Sequence, residues 1–198
     1  LYTGGMDPVQ VGTLFEWMVT HNMWIVEADL SRCDGHHSVE GSEAEIWTAE
    51  QEGLPQETLD EIRYDQRTEG RTAQGLRYQS GARRNSGRSN TSMGTTTTVM
   101  DVCVTARIVE AHCQRKGDRA LWRQHADEFF TDMDNGKDMT PHFDAFKADV
   151  SCGFFLGDDS VCGQISEPWV EVLEYVFGLA GHEAKIITHA PGEYDKVS

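Results

Sequence analysis

The sequence contains no uninterrupted apolar run near the roughly 18 residues that a membrane-spanning helix needs. Residues 1–7 have neither the basic start nor the apolar stretch of a secretory signal peptide. They also lack an initiator methionine, so we expect the chain to be a segment of a longer protein. The first of these absences argues against a membrane-spanning helix within these 198 residues.

Cysteine occurs five times in the 198 residues, and no two cysteines form a C-x-x-C pair. An odd number without paired spacing argues against a disulfide framework and favours a reducing compartment. The one tight cluster that includes histidine is Cys33 with His36 and His37. Adjacent residues rarely share one metal ion, and the usual ligand spacing is missing, so we predict no zinc site.

Basic residues are scarce, at 17 Lys and Arg against 33 Asp and Glu, which gives a net charge of −16. At face value this balance argues against nucleic-acid binding, which usually requires a basic surface. Residues 71–100, however, contain five arginines and no acidic residue. This basic strip could guide a phosphate backbone, and the alternative is a solvated loop with an accidental charge bias.

The composition, at 38 % hydrophobic and 25 % charged residues, is that of an ordinary soluble globular domain. The length is enough for one hydrophobic core or at most two small ones. Apolar periodicity predicts helices over residues 8–22, 39–51, 56–65, 91–114, 118–131 and 168–181. Strands are predicted over residues 23–29 and 185–187, and a β-hairpin over residues 150–163. Loops are predicted at 66–90, where an irregular strand pair is the alternative, and at 132–142.

The apolar pattern predicts which side chains are buried in the core. Ile46 and Trp47 are predicted to face inward, and the five tryptophans are all predicted to lie in the core. The run Thr95–Thr98 is poor helix material, because β-branched side chains lose χ1 freedom in a helix. We therefore expect tertiary packing to hold the start of the helix that follows residue 91.

Three polar segments could carry chemistry. Asp29 ends a predicted strand and Asp34 lies five residues further on. Residues 86–94 form a hydroxyl-rich loop that enters a helix, and Gly157-Asp158-Asp159 forms the hairpin tip. Adjacent carboxylates repel unless a cation binds them. Carboxylates on neighbouring strands can hold two Mg²⁺ ions about 3.5–4 Å apart, an arrangement that supports phosphoryl transfer. Taken alone, Gly-Asp-Asp is also an ordinary turn sequence.

The order and spacing of these segments resemble the RNA-dependent RNA polymerases of positive-strand RNA viruses over about residues 20–198. Asp29 and Asp34 resemble motif A, the Gly-Asp-Asp run resembles motif C, and the region 169–187 resembles motif D. Motif B, Ser-Gly-x-x-x-Thr, is matched by Ser86, Gly87 and Thr91. The run Asn-Thr-Ser-Met-Gly at 90–94 is most similar to tombusvirus-like and nodavirus-like polymerases.

The resemblance implies an α+β fold, a polymerase palm in which a small antiparallel sheet is backed by helices. Residues 1–198 would form the palm core of a longer polymerase, with part of the fingers inserted at about 52–85. Most of the fingers and the thumb would lie outside this chain.

By the same resemblance, two Mg²⁺ (or Mn²⁺) ions would be held by Asp29 and Asp158, with Asp159 as an accessory ligand. Lys185 would be the general acid for pyrophosphate, with Lys196 as the alternative.

Substrate contacts are implied for residues in motifs A and B. Asp34 would bind the ribose 2′-hydroxyl, Ser86 and Thr91 would place the sugar and the templating base, and Gly87 would give the loop freedom. Thr95 stands where the family usually has Asn, so this substrate-binding position has a hydroxyl in place of an amide.

The implied function is template-directed RNA synthesis in viral genome replication, with RNA template, primer or product strand, and NTPs as partners. It would take place in the host cytoplasm at membrane-associated complexes, and membrane contact would come only from regions absent from this chain. One alternative is a catalytically inactive palm that serves as an interaction module. Another is a reverse-transcriptase-like enzyme, which Asp34 disfavours because DNA-making enzymes more often place a bulky aromatic there.

Overall fold

The computed structural model describes residues 6–31, 38–65, 69–79 and 91–197. Within these ranges the α-helices are α1 Pro8–Thr20, α2 Val39–Gln51, α3 Gln56–Asp65, α4 Thr91–Lys116, α5 Trp122–Asp134, α6 Thr140–Asp149 and α7 Val170–Leu179. The strands are β1 Trp24–Ser31, β2 Glu69–Arg71, β3 Arg77–Gln79, β4 Val150–Leu156, β5 Asp159–Gln164 and β6 Glu183–His189. Short 3₁₀ helices occur at Arg119–Leu121 and Tyr194–Lys196. No helix among the described residues is both long enough and apolar enough to span a bilayer.

The central feature is a four-stranded antiparallel sheet in the order β4-β5-β1-β6. β1 lies between β5 and β6, so it is paired along both edges. A second sheet contains only β2 and β3. The mixture of a small antiparallel sheet and packed helices confirms the predicted α+β class.

One face of the sheet is covered at one end by α1. Asp7 caps this helix by accepting hydrogen bonds from the backbone N–H groups of Val9 and Gln10, at 2.8 and 2.9 Å. The fully buried Met18 of α1 packs against Ile25 of β1 and Phe154 of β4. A Cβ on Gly163 would lie 3.1 Å from the Met18 side chain, so glycine lets the helix approach the strand without displacing Met18.

The opposite face of the sheet packs against α4 and α7 and forms the main core. Val26, Ala28 and Leu30 of β1 point to this side, because alternate strand residues share a face. The core includes residues of α4, α5, β5 and α7, among them Val99, Val109, Phe129, Cys162, Leu173 and Phe177. Burial on this face fixes the orientation of β1 and therefore directs Asp29 to the other face.

The start of α4 is held by packing, as its β-branched sequence led us to expect. Thr95 and Thr96 are 5 % and 3 % exposed, and Val99 is fully buried. Tertiary burial therefore outweighs the low helix propensity of the threonine run.

Two of the core predictions are wrong. Ile46 is buried as predicted, but Trp47 is 61 % exposed and Trp17 is 42 % exposed. The α2–α3 pair forms only a small apolar cluster, which buries the faces of Ile46 and Leu59. That cluster lies on one side of α2, and Trp47 projects from another.

The predicted loop at 132–142 is also partly wrong, because α6 begins at Thr140. Pro141 suits the first turn of a helix, and Asp138 accepts a hydrogen bond from the Thr140 N–H at 2.9 Å. His142 and Phe146 turn toward the core formed by α4 and α5. The weak apolar pattern of this short helix gave no clear periodic signal.

Candidate active site

Three charged residues stand side by side on neighbouring strands. Asp29 of β1 is in register with Asp159 of β5 on one side and with Lys185 of β6 on the other. Directly paired residues of antiparallel strands point to the same face, with Cβ atoms about 4.5–5.5 Å apart. The sheet therefore presents two carboxylates and one ammonium group on one surface.

This surface is open to solvent. Asp29 shares its face of β1 with Ile25, but α1 covers only the Ile25 end of the strand. Asp29, Asp159 and Lys185 are all exposed. A substrate can therefore reach the charged end of the sheet while the apolar end stays packed.

A two-residue turn positions the remaining acidic residue. Gly157 and Asp158 connect Leu156 to Asp159, which are paired across β4 and β5. Gly157 has φ +64°, a left-handed conformation at the first turn position that favours glycine. Asp158 thus lies in the turn itself, one residue before the strand position that faces Asp29.

The electrostatic environment of this surface is negative. Partial burial raises the pKa of the Asp159 carboxyl, and the carboxylates of Asp158 and Asp29 raise it further. A bound cation would relieve this repulsion. The site therefore favours positively charged ligands close to Asp159.

The donor set suits a hard divalent cation, because Mg²⁺ prefers carboxylate oxygens. The part of the chain that the structure describes holds no group of three His, Cys, Asp or Glu side chains already arranged around a metal position. Asp29, Asp158 and Asp159 thus form an open set rather than a closed cage. Magnesium sites of this kind complete their coordination with waters and substrate phosphates.

The other predicted site residues are described only in part. Asp34, Ser86 and Gly87 lie outside the described residues, and Thr91 is the first residue of α4. The Thr95 Oγ1 is buried one turn further on, and it has no hydrogen-bond partner among the described residues. The backbone of Lys196 belongs to the second 3₁₀ helix.

Sequence reasoning missed one polar pair on the same face. His189 of β6 is hydrogen-bonded to Glu27, which lies two residues before Asp29 on β1. The period-two pattern of β1 places Glu27 on the face of Asp29 and could have identified this position. No sequence signal links it to His189, because their contact depends on the pairing of β1 with β6.

Solved structures show the same architecture. The chain superposes on an insertion-loop deletion mutant of a human picobirnavirus RNA-dependent RNA polymerase with a TM-score of 0.61 and 14 % identity over 93 % of its length. It superposes on the RNA-dependent RNA polymerase of a human picobirnavirus with a TM-score of 0.57 and 13 % identity over 90 %. The chain shares the fold of part of these two viral polymerases.

The match covers 31 % of each solved polymerase, so the chain spans about a third of their length. No protein-family model matches the sequence, and no curated protein matches it either. These comparisons therefore show the fold alone.

Proposed function

We propose that the chain is the palm core of a longer polymerase and carries the centre for template-directed RNA synthesis. The observation that carries this proposal is the register of Asp29, Asp159 and Lys185 on the open face of a polymerase-type sheet. The reaction joins an NTP to the 3′-hydroxyl of an RNA strand and releases pyrophosphate. RNA template, primer or product strand, and NTPs are the corresponding partners.

Asp29, Asp158 and Asp159 would hold two Mg²⁺ or Mn²⁺ ions, whose chemistry would be to activate the 3′-hydroxyl and neutralise charge on the reacting phosphate. The carboxylates also orient the bound groups, because strand pairing fixes the position of Asp29 relative to Asp159. Lys185 would give a proton from its Nζ to the leaving pyrophosphate. Its place beside Asp29 in the sheet brings an ammonium group to the negative surface.

The substrate contacts proposed for Asp34, Ser86, Gly87, Thr91 and Thr95 follow from the motif resemblance. The grouping with tombusvirus-like and nodavirus-like polymerases stays a prediction that rests on residues 90–94. Replication in the host cytoplasm, on membranes reached through other regions, is part of the same proposal.

The small hairpin of β2 and β3 is the described surface best suited to RNA. Arg71 and Arg77 are directly opposite each other, and their positive charges repel. Arg71 donates to the Gly75 carbonyl at 3.3 Å, and among the described residues neither guanidinium has a carboxylate partner. Tyr78 is 53 % exposed and its ring lies against Gly70, where a Cβ would come within 2.2 Å of it. Phosphate contacts by the arginines would satisfy both charges.

Replacing both arginines with glutamine should reduce the salt dependence of RNA binding. Each phosphate contact to single-stranded RNA contributes about 0.7 to the slope of log K against log salt, so the slope should fall by about 1.4. Fluorescence anisotropy with a labelled single-stranded RNA measures this. Arg63→Gln is the matched control, because Arg63 is already paired with Glu50 and Asp60. A slope that stays at the wild-type value would contradict the RNA contact.

Primer extension in the longer polymerase tests the proposed activity. We expect Mg²⁺-dependent, template-directed incorporation of ribonucleotides by the wild type, and none by Asp158→Ala. Deoxyribonucleotides should be poor substrates, which distinguishes the enzyme from a reverse-transcriptase-like palm. A folded, RNA-binding parent that extends no primer would favour the inactive palm module. Extension that survives in Asp158→Ala would show that the active site lies elsewhere.

A further inference from the structure

We propose that Thr96 and Ser160 are positioning residues, through which α4 fixes the backbone beside each of the three acidic residues. The proposal rests on the proposed function, because it assigns these residues to the same site. Thr96 acts on the turn that carries Asp158. Ser160 acts on the two strands that carry Asp29 and Asp159.

The first contact joins α4 to the hairpin tip. The Gly157 N–H donates a hydrogen bond to the Thr96 Oγ1 at 2.8 Å. Thr96 is 3 % exposed, so little water competes for this bond. Gly157 precedes Asp158, and the bond therefore holds the turn at its first central residue.

The second contact joins α4 to both strands of the site. The Cys103 Sγ lies 3.4 Å from the Ser160 Oγ, and the Ser160 hydroxyl donates to the Ala28 carbonyl at 3.2 Å. Ser160 follows Asp159, and Ala28 precedes Asp29. Cys103 lies about two turns after Thr96, so the same side of α4 makes both contacts.

Strand alternation explains why the contacts involve the neighbours of the acidic residues. Asp29 and Asp159 point to the open face, so Ala28 and Ser160 point to the face that α4 covers. α4 packs on the covered face of the sheet, where it is linked to Ala28 and Ser160. These links fix the positions of the carboxylates of Asp29 and Asp159 on the opposite, open face. A shift of α4 would consequently change the spacing of the carboxylates.

Packing alone does not explain these polar contacts. An apolar residue at position 96 or 160 would fill the same buried space, as the neighbouring Val99 does. A valine at 96 would leave the partly buried Gly157 N–H without this acceptor, and a donor shielded from water is costly to leave unsatisfied. The hydroxyls of Thr96 and Ser160 thus fix how the turn and the two strands are oriented relative to α4, which apolar packing alone would define less well.

Binding of Mn²⁺ to the 198-residue chain, followed by electron paramagnetic resonance, tests the positioning role directly. Thr96→Val should weaken Mn²⁺ binding roughly fivefold to tenfold, the effect of one lost hydrogen bond at the site. Thr96→Ser restores the acceptor and should stay within about twofold of wild type. Thr98→Val is the matched control, because the Thr98 hydroxyl donates only within α4, to the Gly94 carbonyl at 3.0 Å.

Kinetics of the longer polymerase provide the second measurement. Thr96→Val should lower kcat about tenfold and leave KM for the NTP within about twofold, because it displaces the carboxylates without removing substrate contacts. Ser160→Ala should shift both readouts in the same direction, and it removes one hydroxyl without adding volume.

The proposal would be overturned if Thr96→Val and Ser160→Ala both bind Mn²⁺ with wild-type affinity. It would also be overturned if the control Thr98→Val lost as much Mn²⁺ affinity as they do. If Thr96→Val does not fold, Ser160→Ala decides, and unchanged binding and kcat in that variant would overturn the role of α4. A wild-type chain that binds no Mn²⁺ would overturn it as well. Failure of the proposed function gives a different pattern, namely no primer extension by the wild type while Mn²⁺ binding still depends on Thr96.

Discussion

Replacing Asp29 with asparagine is expected to lower the rate of nucleotide incorporation about a thousandfold, which corresponds to roughly 4 kcal/mol of activation free energy. The amide keeps the size of the side chain and removes its negative charge. Asp29 lies between Asp159 and Lys185, so its charge acts on both neighbours. Single-turnover incorporation by the longer polymerase gives the rate.

The same substitution should leave folding intact, which separates it from a general loss of structure. Asp29 faces Asp159 as a like charge and Lys185 as an opposite charge on an exposed surface, so removing its charge should leave the melting temperature nearly unchanged. Asp144→Asn is the matched control, because Asp144 is an exposed residue of α6. A rate for Asp29→Asn within about tenfold of the control would remove Asp29 from the active site.

Replacing Arg107 with methionine is expected to destabilise the fold by about 3–5 kcal/mol, the cost of leaving a buried charge without its partner. Arg107 and Glu110 are 4 % and 1 % exposed, and their side chains form an ion pair within α4. A second contact at 3.5 Å joins the Arg107 Nη2 to the Asp149 Oδ2. Burial raises the pKa of the Glu110 carboxyl, and the Arg107 charge opposes that rise. Urea unfolding measures the free-energy change.

Lys116→Met on the same helix is the control for this prediction. Lys116 pairs with Glu128 at 3.1 Å, but both side chains are more than a third exposed. Water screens such a pair, so its loss should cost less than about 1 kcal/mol. If Arg107→Met and Lys116→Met lower the free energy of unfolding equally, the buried ion pair contributes no more to stability than a surface pair.

Local sequence signals were sufficient for most of the secondary structure. The capping residue Asp7, the period of α1 and the Gly-Asp turn between β4 and β5 all act within a few residues, so their outcome could be predicted. Trp47 could not be placed, because its exposure depends on how little of α2 is covered by α3. Long-range packing decided that position.

The candidate site also has a part that local sequence signals predict and a part that depends on long-range contacts. The three motifs predicted Asp29 and the Gly-Asp-Asp turn as site residues, but nothing in the sequence determined which acidic residue would face Asp29. That choice depends on the register between β1 and β5, and a shift of one residue would reverse every side chain. The contact of Thr96 could likewise not be predicted from the sequence, because its partner Gly157 is 61 positions away in the chain.

The position of β1 has a consequence for how the protein is made. Both strands that pair with β1 come much later in the sequence than β1 itself, since β5 begins at Asp159 and β6 at Glu183. During translation both edges of this apolar strand lack these native partners until the segment from Asp159 to His189 has been synthesised. Open strand edges pair readily with other chains and promote aggregation. Expression fragments should therefore extend through His189, because a shorter chain would expose β1 permanently.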